Sequence, residues 1–246
     1  AYERVDMPEQ AQVDKFLPPY EPRQVLDPSD PVTIGAMVGP EAFTEVRYLA
    51  HAKQMQALEL IPKIAQEFKD QFGRDSGGLI KTYKTEDAET IVIAMGSVLG
   101  TIKDTVDDLR AQGVKVGVLG ITSYRPFPIS AIRDATAKAT RIVVIEKCFA
   151  VGIGGIVSRD VRSAVRNRPQ PVLTVVAGLG GRAITKASVS KLLQDAIADK
   201  LELLTFLDLD WAVVNRVLDR EKQQRRSGPV AEGVLRDMGS TASRAA

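Results

Sequence analysis

The 246 residues leave room for one large domain, or a medium domain with an attached piece, and 33 basic against 31 acidic side chains give a formal charge of +2. That near balance speaks against a nucleic-acid or membrane-surface binder, which needs a concentrated positive field, and no apolar stretch approaches the roughly 18 residues that span a bilayer. The first residues, AYERVDMPEQ, lack the apolar centre of a secretory signal, and one cysteine (Cys148) excludes an internal disulfide or a multi-cysteine metal or iron–sulfur site within this sequence.

Residues 1–40 carry Pro8, Pro18, Pro19, Pro22, Pro28, Pro31 and Pro40, which remove backbone donors and hold their preceding residues extended. No regular helix or central strand is expected there. Phe16, Leu17, Tyr20, Val25, Leu26, Val32, Ile34, Met37 and Val38 are too apolar for a free linker, so an irregular arm laid over another surface is expected. The sequence opens without methionine, as a longer chain that has been cut or one that has lost its initiator would. From Pro40 to about Phe72 the spacing of Leu49, Ala52, Met55, Leu58, Ile61, Ile64, Ala65 and Phe68 predicts helix, with Pro62 a kink or a second start. His51, alone on that helix, reads as a surface or packing residue, because no second ligand lies near it. GRDSGGLIKTYKTEDAE, residues 73–89, reads as a polar hinge, and the compact domain is expected from about residue 86.

Thr90 to Met95 is an apolar run of β-formers, and Gly96-Ser97 then turns the chain, with the serine placed to cap a helix. Val98, Ile102, Val106 and Leu109 give that helix its buried stripe, and Gly113 suits its left-handed end. Val114 to Ile121 is a second strand, which completes a parallel βαβ unit. Pro126 and Pro128 end it; helix is expected over Ile129–Ala139, strand over Arg141–Glu146, helix over Ile156–Arg166, strand over Val172–Ala177 and helix over Ala187–Ala198, capped by Thr185. The fold class is therefore α/β, a mostly parallel sheet flanked by helices. Leu201–Leu209 is an apolar stretch before a helix over Trp211–Arg226, whose basic end (Arg220, Lys222, Arg225, Arg226) suits the helix dipole more simply than an anion. Beyond Ser227 the composition is small and polar, as in a frayed end.

Three glycine-bearing turns, Gly96-Ser97, Gly152 to Gly155 and Gly178 to Gly181, follow strands and precede helices, where doubly wound folds hold ligands and helix N-termini favour anions. None carries the dinucleotide fingerprint, and tight turns account for all three as well. Cys148 has no base near it in sequence and reads as a buried or incidental thiol. Tyr124, Arg125 and Phe127 cluster beside two prolines; that composition suits a protein–protein contact and, equally, aromatic packing inside one domain.

The order MGS…GT (Met95 to Thr101), LRAQGVKVGVL (Leu109 to Leu119), RPFP (Arg125 to Pro128), VGIGG (Val151 to Gly155) and GLGGR (Gly178 to Arg182) resembles the alpha subunits of pyruvate:ferredoxin oxidoreductases. VDKFLPPYEP, LDPSDPVTIGA, FTEVRY and FGRDSGGLIKTYKTEDAE, between Val13 and Glu89, resemble the same family. The resemblance covers about residues 1–200. It implies an extended proline-rich arm and helices over 1–85, the end of a pyrimidine-binding-like domain; a transketolase C-terminal-like domain over 86–204; and a helix and tail over 205–246. It also implies a cytoplasmic complex that decarboxylates a 2-oxoacid on thiamine diphosphate with magnesium, passes electrons through iron–sulfur clusters to ferredoxin, and delivers the acyl group to coenzyme A. The implied partners are a thiamine diphosphate-binding beta subunit, a gamma subunit, an iron–sulfur delta subunit and, through them, ferredoxin; no nucleic acid or membrane is expected. The family's catalytic groups map outside this sequence, so no catalytic residue, metal ligand or cofactor contact is transferred to it. Phe16, Leu17, Tyr20, Tyr124, Arg125 and Phe127 are the expected interface residues. The family usually has an Asp-Arg pair where Glu146-Lys147 stands, and an aspartate at Ala183, departures that bear on the substrate. The rival expectations are another 2-oxoacid (2-oxoglutarate, a branched-chain oxoacid or oxalate), and a free-standing module that binds an anion at its glycine turns.

Overall fold

The computed structural model describes residues 5–31, 35, 37–223, 234, 235 and 238. Val32 and Ile34 of the expected arm, Arg225 and Arg226 of the basic helix end, and almost all of the tail beyond Ser227 lie outside the described residues. The arm is not wholly irregular. Helix α1 (Gln10–Phe16) occupies the proline-free window between Pro8 and Pro18. Helix α2 (Phe43–Phe72) is one run of 30 residues with Pro62 inside it, ended by Gly73 at φ 66°. The two helices meet through three rings: Phe16 stands edge-on to Phe68 and Phe72 at 5.8 and 5.3 Å, and Phe68 lies 4.7 Å from Phe72. No residue of α2 is buried, and Phe43, Tyr48, Leu49 and Leu60 are exposed on it.

The sheet begins earlier than residue 86. β1 (Ile80–Tyr83) lies within the stretch expected to be a hinge and pairs antiparallel with β3, Ile80 opposite Ile121 and Tyr83 opposite Val118. Its two outward residues, Lys81 and Thr82, break the apolar run, so it reads as a loop in sequence, while Ile80 and Tyr83 reach the two cores. Then follow β2 (Thr90–Ala94), α3 (Val98–Ala111), β3 (Val116–Ile121), α4 (Ile129–Ala135), β4 (Arg141–Glu146), the short strands β5 (Phe149–Ala150) and β6 (Gly154–Gly155), α5 (Val157–Ala164), β7 (Val172–Val176), α6 (Lys186–Ile197), β8 (Leu204–Phe206) and α7 (Trp211–Gln223). The sheet order is β1-β3-β2-β4-β7-β8, parallel except for β1. β8 carries the sheet past residue 204, and Val213 of α7 is buried, so the compact unit extends into the segment expected to be tail.

Every residue of β2, β3 and β7 is buried, as is expected of parallel strands covered on both faces. On one face Val92, Val118, Val143 and Val175 meet Ile102, Val106 and Leu109 of α3 and Val189, Leu192 and Leu193 of α6. On the other, Ile93, Leu119 and Val144 meet Ile132 of α4 and Val157 and Val161 of α5. Each such fully buried aliphatic side chain contributes roughly 1.5–3 kcal/mol. Because α5 and α6 lie on opposite faces while β4, β7 and β8 advance in one direction, the β7–α6–β8 crossover has the opposite hand to β4–α5–β7. Arg110 ties three segments together at the other end of the sheet. It donates to Val116 O and Lys84 O, each at 2.7 Å, and pairs with Asp87 at 2.7 Å.

Candidate ligand crevice

β2, β4 and β7 end side by side at one rim and run into Met95-Gly96-Ser97, Lys147-Cys148 and Gly178–Arg182 respectively. The chain leaves β2 toward β3 on one side and returns as β4 on the other, so a crevice opens between β2 and β4 at the point where the direction of winding reverses. Its cavity is ≈ 450 Å3. Met95, Ile145, Val157 and Ile184 make its apolar floor, and Ser97, Thr101, Glu146, Lys147 and Arg182 bring polar groups to it.

Glu146 dominates the geometry. Its side chain ends β4 almost fully buried and turns onto the N-terminus of α5: Oε2 accepts from Ile156 N at 2.8 Å and Val157 N at 2.7 Å, and Oε1 accepts from Ser158 N at 2.9 Å. Three otherwise orphaned amides are satisfied by one carboxylate, and the helix dipole favours its negative charge. Residue 155 is glycine because a Cβ there would fall within 2.6 Å of Glu146 Cδ and Ser158 Oγ. The glycine run 152–155, expected as a turn leading straight into the helix, is instead the far side of the β5–β6 hairpin, in which Phe149 pairs with Gly155. Phe149 stacks edge-on against Phe206 of β8 at 5.2 Å, and this holds the hairpin over the sheet edge. In the sequence Glu146 reads as the end of a strand and as a departure from a family pattern. The signal for its role was a carboxylate closing an apolar strand upstream of a helix whose own N-cap, Ile156, has no capping side chain.

Two other helices start at the same rim. Thr185 Oγ1 accepts from Ser188 N at 3.1 Å and closes α6, as expected. Ser97 does not cap α3: it sits at φ −65°, ψ −24°, already helical, and makes no capping hydrogen bond. The turn before α3 is made by Gly96, at φ 76°. Lys147 and Arg182 are both exposed, one after β4 and the other after β7; an Arg182 guanidinium nitrogen donates to Asp208 O.

Of the residues expected at an interface, Leu17 and Tyr20 are exposed at 57% and 88%, while Phe16 is half-buried against α2. Tyr124 and Phe127 pack on the second core and meet edge-on at 6.1 Å. Arg125 lies exposed over the Tyr124 ring at 4.1 Å, and both Arg125 and the Tyr124 hydroxyl donate to Asp160 Oδ2, at 2.7 and 2.9 Å. Burial, and then the hydrogen bond to Asp160, push the Tyr124 phenol above its usual range. The structure thus gathers Tyr124, Arg125 and Phe127 into one cluster, while Phe16 packs on Phe68 and Phe72 of α2. Cys148 lines the crevice half-buried, and His51 is exposed on α2.

The donor set fits no resident cluster or metal. A four-cysteine cluster has only Cys148 to draw on, and among the described residues no three His, Cys, Asp or Glu side chains converge. Glu146, the one carboxylate at the crevice, has both oxygens engaged by α5. No described helix is long and apolar enough to cross a membrane.

A three-layer α/β domain, wound in opposite directions about β2 and β4 and open at the carboxyl ends of its strands, is the class that these features define. Residues 88–189 match the family model of pyruvate:ferredoxin oxidoreductase core domain II. It is 42% identical over 197 residues to pyruvate synthase subunit PorA of Methanosarcina barkeri, which covers 79% of this chain and 49% of the relative. The PorA of Methanothermobacter thermautotrophicus is 36% identical over 78% of this chain and 49% of its own. The ketoisovalerate oxidoreductase subunit VorA of Pyrococcus horikoshii is 35% identical over 79% of this chain and 50% of its own. The chain thus spans about half the length of the curated relatives it matches. A solved 2-oxoglutarate:ferredoxin oxidoreductase from Magnetococcus marinus superimposes at a TM-score of 0.40 and 20% identity, over 54% of this chain and 23% of its own, too partial a fit to bear on ligands.

Proposed function

We propose that this chain acts within a pyruvate:ferredoxin oxidoreductase, which converts pyruvate, coenzyme A and oxidised ferredoxin to acetyl-coenzyme A, carbon dioxide and reduced ferredoxin. The similarity to PorA carries this reading, since its 197 residues are too many to fall within the sheet domain alone. The chain's part is structural. It packs the subunits that hold thiamine diphosphate, magnesium and the iron–sulfur clusters, because its own side chains supply neither a cluster's thiolates nor a free carboxylate at the crevice. Exposed apolar side chains support an assembly role: Tyr20 and Leu17 on the arm, Tyr48 and Leu49 on α2, Val151 and Ile153 on the β5–β6 hairpin. The complex works in the cytoplasm, without membrane or nucleic acid.

Similarity to VorA favours a branched-chain 2-oxoacid as the second reading. The purified complex, assayed for coenzyme A-dependent reduction of ferredoxin, separates the two. Pyruvate is expected to give the highest kcat/KM. A preference for 2-oxoisovalerate, 2-oxoglutarate or oxalate would overturn the substrate and leave the family intact.

A further inference from the structure

We propose that the crevice between β2 and β4 binds a small molecule carrying a single phosphate-type anionic end on an apolar or planar body. Three segments bring donors to it. Lys147 enters from the end of β4, Arg182 from the turn after β7, and the hydroxyls of Ser97 and Thr101 from one face of the first turn of α3, four residues apart. Lys147 makes no ion pair among the described residues, so its charge is free for a ligand. Arg182 spends one guanidinium nitrogen on Asp208 O, which fixes its position and leaves other donors. An ammonium, a guanidinium and two hydroxyls suit a group with several acceptor oxygens and more than one negative charge.

The same rim limits the ligand to one such end. A molecule with anions on both the α3 and α5 sides would meet the Glu146 carboxylate, which already occupies the amides of Ile156, Val157 and Ser158. Thr185 likewise closes α6. The α3 side differs: it has no acidic residue in its first turn and no capping side chain, and Leu99 N and Gly100 N donate only to the backbone carbonyls of Gly96 and Ser97. The floor of Met95, Ile145, Val157 and Ile184 has no donor to offer and takes an apolar or planar portion. A volume of ≈ 450 Å3 lies within the range of small-ligand sites and holds one nucleotide-sized molecule. The donors and the apolar floor invoked for this site belong to this chain, so the site and the oxidoreductase reading stand or fall separately.

Isothermal titration of the full chain with ADP as probe tests this, with inorganic phosphate and adenosine as separate arms. ADP is expected to bind one to one and more tightly than either part. Lys147→Ala and Arg182→Ala should each weaken it about tenfold, and Lys147→Arg should retain most of the affinity. Both side chains are exposed, so far-UV circular dichroism of the variants should match the parent. No binding at millimolar ADP would overturn the proposal. So would affinity unchanged by Lys147→Ala and Arg182→Ala, which puts the probe elsewhere, or phosphate binding as tightly as ADP, which removes the apolar subsite.

Discussion

Glu146 and Gly155 are fitted to one another: the carboxylate of the first fills the space where the second would carry a side chain. Gly155→Ala should therefore displace Glu146 from the α5 amides or push the β5–β6 hairpin off β8. Overpacking of this kind costs roughly 1–3 kcal/mol, read as a lower urea midpoint at unchanged m-value. An unchanged midpoint would mean that the carboxylate has room to withdraw.

Glu146→Gln keeps the shape and removes the charge. One acceptor becomes an NH2 facing a backbone N–H, which leaves a buried donor unpaired beside α5. The expected loss is about 1–3 kcal/mol, with hydrogen exchange fastest at Ile156, Val157 and Ser158. Uniform exchange across α5 would contradict the capping role.

Acid should loosen the β1–α3 corner first. The hydrogen bond from Lys84, then that from Tyr83, holds the Asp107 carboxyl below its ordinary 3.8, and Arg110 does the same for Asp87. A carboxyl lowered in the folded state stabilises it fully above the ordinary value, and that stabilisation is lost as pH falls through the folded value. The urea midpoint should therefore decline below about pH 4, and Asp107→Asn should flatten that limb. The Lys84 ammonium is raised by the same pair, so its contribution persists below 10.5 and is lost only as the pH climbs beyond it. An acid limb of equal slope in Asp107→Asn would remove this pair from the account.

Phe16→Ala should free α1 without melting the sheet. Two edge-on ring contacts disappear, each worth about 0.5–1.5 kcal/mol, and none of the arm's described residues belongs to either buried core. Limited proteolysis is expected to cut sooner around residues 10–20 while the main thermal transition stays in place. A shift of the main transition would show that the arm and the sheet unfold together.

The central strands and their helices were legible in the sequence. Arg141–Glu146 forms β4 over those same residues, and Ile102, Val106 and Leu109 face the core as their spacing requires. The edges were not. β1 has a two-residue polar middle, β8 is three residues long, and both are strands only because a neighbour supplies the hydrogen bonds. α1 was hidden by the prolines that bracket it. At the crevice, the glycine turns after β2 and β7 were found, since glycine before a helix is a local signal. The Glu146 cap was missed because its partners lie ten to twelve residues downstream and meet it only once the hairpin has folded back.

The most direct test of the subunit assignment is gentle purification of the chain from its source, with mass spectrometry of everything that accompanies it. The assignment predicts co-purification with a thiamine diphosphate-binding subunit and a ferredoxin-like iron–sulfur subunit, in a coloured complex that oxidises pyruvate. Recovery as a lone, colourless, folded monomer would contradict it.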